Sequence, residues 1–255
     1  MTNSFKIGWL FPNTLNLHGE RGNILAMKAE GMRRGYAVEL HKITLDTQDF
    51  NPMNYDFIFC APGEMVHFHE IIRFLKPHRE ELITYIKNRP MLVTGTSIGL
   101  FGEEIIRFEE YTIAGLGILK IKCSENKAVY GDDLFFNCNY NDKEMSIIGS
   151  QIQMMNLEIL EEIPFGHLKY GYGNTGKTKQ EGVINGKGIF TNTLGPILVC
   201  NPWLTEEIVN LIEANKNMSL CQIKRDNILE EKSLSTKVDF IKNKATALTN
   251  TTLSE

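Results

Sequence analysis

The segment Met91–Gly102, MLVTGTSIGLFG, has the form that presents one reactive side chain: an apolar strand, a turn of small residues and an apolar helix start. Such an elbow exposes its apex residue at a helix N-terminus, where backbone amides and the helix dipole stabilise an anion. A cysteine or serine there would be a nucleophile. The apex here is Gly95, which has no side chain, with Thr96 and Ser97 behind it. Ser97 lies two positions on, where a helical side chain points elsewhere. Two residues are candidates to stand in. Cys60 closes another apolar run and is either a thiol reaching the same crevice or a buried strand cysteine. His167, in PFGHLKYGYG, is either a displaced base or a structural loop histidine beside aromatics.

Other clusters carry less. His67 and His69 in EMVHFHE would share a face on a strand and could hold a metal, but the following IIRFL favours a helix, on which they diverge. Gly171–Lys177, GYGNTGK, lacks the spacing and strand–helix setting of a phosphate loop and reads as a β-turn. Neither a metal nor a cofactor is expected. The cysteines Cys60, Cys123, Cys138, Cys200 and Cys221 are scattered without a CxxC pair, which predicts free, mostly buried thiols.

The elements that must position these residues follow from periodicity. Phe5–Phe11 is a first strand, and Asn13–Gly19 a loop. Glu20–Arg34 is a helix with Ile24, Met27 and Met32 on its apolar face, ended by Gly35. Tyr36–Ile43 alternates as a strand, and Tyr55–Ala61 is a continuous apolar run suited to a central parallel strand. A helix over His78–Lys87 leads to strand Pro90–Thr94 and the turn-to-helix segment Gly95–Gly102. Strands alternating with helices predict an α/β, doubly wound, mostly parallel sheet. Short β-prone pieces over Thr112–Gly149 and Gly182–Phe190 predict an added mixed β layer. Thr205–Ala214 reads as a helix capped by Thr205. The chain divides into a domain over 1–215 and, over 216–255, a helical extension fraying into a disordered tail, with a weak amphipathic stretch near Ile223–Leu234.

Composition bounds the class. The 255 residues are 42% apolar and 23% charged, with a net charge of −4, which suits an α/β domain and gives no general affinity for nucleic acid or anionic membrane. No secretory signal or membrane-spanning stretch is visible, so a cytoplasmic protein is expected.

Six segments occur in an order that identifies a resemblance: Asn16–Ile24 (NLHGERGNI), Cys60–Glu64 (CAPGE), the elbow, Gly115–Leu119 (GLGIL), Tyr170–Asn174 (YGYGN) and Leu194–Pro202 (LGPILVCNP). Over residues 5–213 the chain resembles the cobyric-acid-synthase-like class I glutamine amidotransferases. It most resembles the glutaminase subunits that feed ammonia to a Mur-ligase-like synthetase in peptidoglycan-precursor amidation. The resemblance implies a flavodoxin-like sheet and an elbow close to CGGYQLLG, whose cysteine forms a thioester with glutamine. That cysteine falls on Gly95. The family's histidine precedes a Gly-Pro, where this chain has Leu194 before Gly195 and Pro196, and a stretch like GFENH falls on Gly149–Gln153, GSQIQ.

Loss of both thiol and imidazole would remove the covalent route to glutamine hydrolysis. The expectation is a degenerate amidotransferase, with Gly95 and Leu194 at the former catalytic positions. Gly63, Glu64, Thr96, Ser97 and Gln153 are crevice or ligand-binding candidates, Gly63 because its backbone can approach a substrate. His18, Glu20 and Arg21 are partner-surface candidates, Glu20 being equally explicable as helix-dipole chemistry. The partner implied is a Mur-ligase-like synthetase. An active glutaminase subunit using unrecognised groups, supplying ammonia for amidation of a peptidoglycan precursor or a cobyrinate-type substrate, and a repurposed binder of glutamine or another small molecule, stand as alternatives.

Overall fold

The structure, a computed structural model, describes residues 4–108, 111–218 and 226–252, the last helix as backbone alone beyond Lys244. Cys221 and the start of the Ile223–Leu234 stretch lie outside the described residues.

The chain begins with β1 (Ser4–Leu10), α1 (Gly22–Arg33) and β2 (Ala37–Ile43), then β3 (Phe57–Cys60), α2 (Phe68–Leu75), α3 (Arg79–Asn88), β4 (Met91–Thr94) and the single turn α4 (Ile98–Phe101). β5 (Glu104–Ile106), β6 (Thr112–Ala114), β7 (Ile121–Tyr140), β8 (Lys143–Ile159), β9 (Gly166–Tyr170) and β10 (Gln180–Glu181) follow, and then β11 (Val183–Asn185), β12 (Gly188–Thr191), α5 (Ile197–Cys200), α6 (Pro202–Asn215) and α7 (Ile228–Thr252).

The first sheet has the order β2-β1-β3-β4-β12-β11, parallel except for the last pair. Its first five strands follow the flavodoxin-like winding, so ligands would be expected at the carboxyl ends of the strands. Both faces are covered, which is why Phe57–Cys60 and Met91–Thr94 are apolar or small without alternation and wholly buried. Ile58, Cys60, Met91 and Val93 pack with Phe68, Ile71, Leu82 and Tyr85 of α2 and α3. Phe57, Phe59, Leu92 and Ile189 pack with Ile24 and Met27 of α1 and Leu204, Ile208 and Val209 of α6.

The second sheet runs β10-β9-β7-β5-β6, with β8 on β7. Its backbone is a long hairpin, β7 of 20 residues and β8 of 17, rather than the short pieces expected from sequence. Its register shifts between Glu125 and Tyr130, so the polar and glycine residues that break the pattern sit at a bulge or on exposed strand. Asn141 and Asp142, at φ 53° and 61°, make the two-residue turn with both centres left-handed that hairpin twist favours. Asn141-Asp142 was a legible hairpin signal that the periodicity reading passed over.

Other expectations need correction. Gly182–Phe190 belongs to the first sheet, where β12 runs parallel to β4. Met32 is 58% exposed, and Gly31 takes the inward position above Phe5 and Val38. Thr205 is interior to α6, which starts at Pro202, and its hydroxyl donates to Leu198 O at 2.7 Å instead of capping. The extension past residue 215 is not one of these: α7 is a 25-residue helix seated on the second sheet through Lys237–Asp133 and Lys244–Asp132 pairs, and residues 253–255 lie outside the described residues. No helix among the described residues is long and apolar enough to cross a membrane.

Candidate functional site

The carboxyl ends of β3, β4 and β12 are adjacent, with Cys60 opposite Val93 and Thr94 opposite Thr191. At the end of β4 the chain turns through Gly95 at φ +58° and enters a helical turn at once. The elbow is therefore real. Its apex is in the left-handed region, which costs an L-residue about 1–2 kcal/mol and glycine almost nothing.

A Cβ built on Gly95 would lie 2.9 Å from Pro62 Cβ and 3.7 Å from Leu194 Cδ2. The structure thus brings Gly95 and Leu194, 99 positions apart in the chain, to within van der Waals reach of one another at the elbow. Leu194 is held there by an antiparallel bridge to Ser150 of β8, its N–H donating to Ser150 O at 2.8 Å and its carbonyl accepting from Ser150 N at 3.0 Å. It is 2% exposed, so the position carries an apolar side chain in a dry setting.

The neighbouring wall is closed by hydrogen bonds. Thr96 Oγ1 donates to Gly63 O at 2.7 Å and accepts from Gly63 N at 3.1 Å. A Cβ on Gly63 would collide with Leu15 Cδ2. The expectation that the Gly63 backbone is free to approach a substrate is corrected: its N–H and carbonyl are both engaged, and Leu15 covers the α-carbon. Ser97 is wholly buried, and its hydroxyl donates to Ala61 O at 2.6 Å. Glu64 is exposed at the outer end of the same turn.

Gln153 is buried at 2% exposure, and its Nε2 donates to Asn174 O at 3.0 Å. With Gln151, whose amide bonds both Gly173 N and Gly173 O, it fastens the 171–174 loop to β8. The positive φ of Gly171, Gly173 and Gly176 makes Gly171–Lys177 a turn. His167 is exposed on β9, a strand rather than a loop, and pairs through its backbone with Asn137 and Gln180 of the second sheet. His67 and His69 are exposed at the start of α2. Among the described residues no group of three or more His, Cys, Asp or Glu is placed to hold a metal.

Cys60 is wholly buried, and burial pushes its thiol up to about 12. At neutral pH it is protonated, hence a poor nucleophile.

Sequence reasoning missed the part played by Glu20. The chain enters α1 through left-handed His18 and Gly19, at φ 61° and 73°, and this turns Glu20 inward just ahead of the helix. Glu20 is wholly buried, which corrects its place among surface candidates; His18 and Arg21 remain exposed beside it. Its Oε1 accepts from Gly195 N at 2.8 Å and its Oε2 from Asn23 Nδ2 at 2.7 Å. Asn23 Oδ1 in turn accepts from Leu198 N at 2.9 Å. Burial pushes the Glu20 carboxyl up to about 7, against the hydrogen bonds that favour its charged form. The carboxyl fixes the turn that carries Leu194, and no local sequence feature announces a partner 175 positions away.

No family model matches the chain. It is 26% identical over 208 residues to the GatD subunit of lipid II isoglutaminyl synthase (glutamine-hydrolyzing) from Streptococcus pneumoniae, covering 80% of this chain and 78% of that one. Among solved structures, a glutamine amidotransferase crystal structure matches with a TM-score of 0.51 at 14% identity, covering 81% of this chain and 98% of that one. PurLQS from Thermotoga maritima matches with a TM-score of 0.50 at 12% identity, covering 76% and 86%. The chain has the fold of the class I glutamine amidotransferases and is a distant relative of GatD.

Proposed function

We propose that this protein is an amidotransferase-like partner-binding or regulatory subunit that does not hydrolyse glutamine, and that its partner is a Mur-ligase-like synthetase. The observation that carries this reading is the pairing of Gly95 with Leu194 at the elbow, 3.7 Å between the position of a Gly95 Cβ and Leu194 Cδ2. Where a thioester would be made and broken there is neither a thiol nor an imidazole. The Thr96 hydroxyl further occupies the Gly63 N–H, a donor that could otherwise face a developing oxyanion.

Rescue by Cys60 is opposed by its complete burial and raised pKa. His167 sits exposed on β9 of the second sheet. A small-molecule binder receives no specific support, since Thr96, Ser97 and Gln153 are all hydrogen-bonded within the protein. The kinship with GatD, itself a synthase subunit, favours a protein partner.

The test is assembly. The protein and a Mur-ligase-like synthetase from the same cell, each purified, are mixed and followed by sedimentation velocity. A defined complex with unchanged or altered synthetase activity is expected; two independent boundaries at tens of micromolar would contradict the partner assignment.

A further inference from the structure

Two wholly buried carboxyls brace the turn Thr191–Gly195, which carries Leu194 to Gly95. Glu20 holds it from one side, its Oε1 accepting from Gly195 N at 2.8 Å. Glu181 of β10 holds it from the other, its Oε1 accepting from Asn192 N at 2.8 Å. The hydroxyls of Thr191 and Thr193 lie 2.6 and 3.1 Å from the same Glu181 oxygen. The braces adjoin at the strand ends, since Thr94, whose hydroxyl acts on Glu20, is the β4 partner of Thr191.

Neither carboxyl has a counter-ion. Facing Glu20 are the Thr94 hydroxyl of β4, the Asn23 amide of α1 and the Cys200 thiol of α5, which is itself within electrostatic reach of Lys237 of α7. His18 and Arg21, on the segment that carries Glu20, are exposed. Facing Glu181 are only the hydroxyls and backbone amides of Thr191, Asn192 and Thr193. The hydrogen bonds are those of carboxylic acids. Glu181 Oε1 gathers three donors while its buried Oε2 has none. The Thr94 hydroxyl, buried and without another partner, can accept from a protonated Glu20. Burial raises both carboxyls, Glu20 to about 7. Ionised in place, each would be a buried charge without compensation, and admitting water through a short turn relieves this at less cost than unfolding the domain.

We propose that the Thr191–Gly195 turn is a pH-operated latch, closed while Glu20 and Glu181 hold their protons and opened locally, with Leu194 leaving Gly95, when they lose them. The latch requires neither a partner nor the absence of glutaminase activity. In the open turn Glu20 returns toward 4.5, against about 7 when closed, so closure is fully favoured below pH 4.5 and weakens as pH rises to about 7. Between about pH 5.5 and about pH 8.5 the opening constant grows about thirtyfold from Glu20 alone.

The test is amide exchange of the full-length protein over that range, each rate divided by that of an unstructured peptide of the same sequence. The amides of Asn192, Thr193, Leu194 and Gly195 are all hydrogen-bonded and report the latch. Their protection is expected to stay below that of the β3 and β4 amides and to fall at least about tenfold as pH rises. In Glu20→Gln/Glu181→Gln, of the same shape but unable to ionise, the fall should vanish, and each single variant should remove part of it. Turn amides protected as strongly as the core, protection indifferent to pH, or a fall that is the same in the variants would each overturn the proposal. Infrared absorption of the unaltered protein is a second readout, independent of whether the variants fold. A protonated-carboxyl band present at about pH 5.5 and lost by about pH 8.5 is expected; its absence at the lower pH would contradict the latch. Glutamate release bears on the elbow and leaves this proposal untouched.

Discussion

Replacing Thr96 with valine removes one hydroxyl and little volume, and it leaves the turn beside the elbow without its tie. That hydroxyl serves both the N–H and the carbonyl of buried Gly63, at 3.1 and 2.7 Å. A hydrogen bond contributes about 1 kcal/mol net, and each buried backbone group left without a partner costs about 1–3 kcal/mol. Thr96 is 6% exposed and Leu15 covers the Gly63 α-carbon, so water has poor access to replace the bonds. Together these give a loss of about 3 kcal/mol for Thr96→Val, part of it offset by the valine methyl. Urea unfolding at neutral pH reads this as a lower midpoint with an unchanged slope. Thr96→Ser is the control: it keeps the hydroxyl and loses one methyl, for about 1 kcal/mol. A Thr96→Val protein within about 0.5 kcal/mol of the original, the range of an ordinary surface substitution, would refute the claim that this hydroxyl locks Gly63.

Three further outcomes follow from the same geometry. Gly95→Ala should destabilise by about 2–3 kcal/mol, the left-handed penalty plus a Cβ at 2.9 Å from Pro62 Cβ, measured by the same unfolding assay. Glu20, raised from 4.5 to about 7 in the fold, binds its proton more tightly in the native than in the unfolded state. Its contribution is therefore fully present below pH 4.5 and falls as pH rises to about 7, by roughly 3 kcal/mol, and stability profiles of Glu20→Gln should lack this descent. Peptide-resolved alkylation at pH 8 should label half-exposed Cys200 long before Cys60, Cys123 or Cys138, whose thiols burial raises to about 12; comparable labelling of Cys60 would mean that its strand end opens.

What was legible in the sequence lies where local pattern and tertiary setting agree. The run Tyr55–Ala61 forms β3 over Phe57–Cys60, buried on both faces as its continuous apolar character requires. The small-residue turn after Met91–Thr94 is an elbow because only a glycine-like backbone takes φ +58° without strain. The sequence is opaque where the decisive partner is remote. Glu20 looks like a first-turn acid until Gly195 is seen donating to it, and Thr96 looks like a ligand-binding residue until its bonds to Gly63 are seen. The long β7–β8 hairpin was hidden because its outer stretch, Lys127–Gly131, is solvated and lacks the alternation of a half-buried strand. The extension past residue 215 reads only as weakly amphipathic, and only the position of Asp132 and Asp133 gives Lys237 and Lys244 their partners.

The proposal of an elbow without a nucleophile is tested most directly by incubating the purified protein with millimolar glutamine, alone and with the proposed synthetase partner, and measuring glutamate. No release above the buffer rate is the result expected in both arms. Turnover that persists in a Cys60→Ala/His167→Ala protein would show that glutamine is opened by groups away from Gly95 and Leu194, and the account of this site would be wrong.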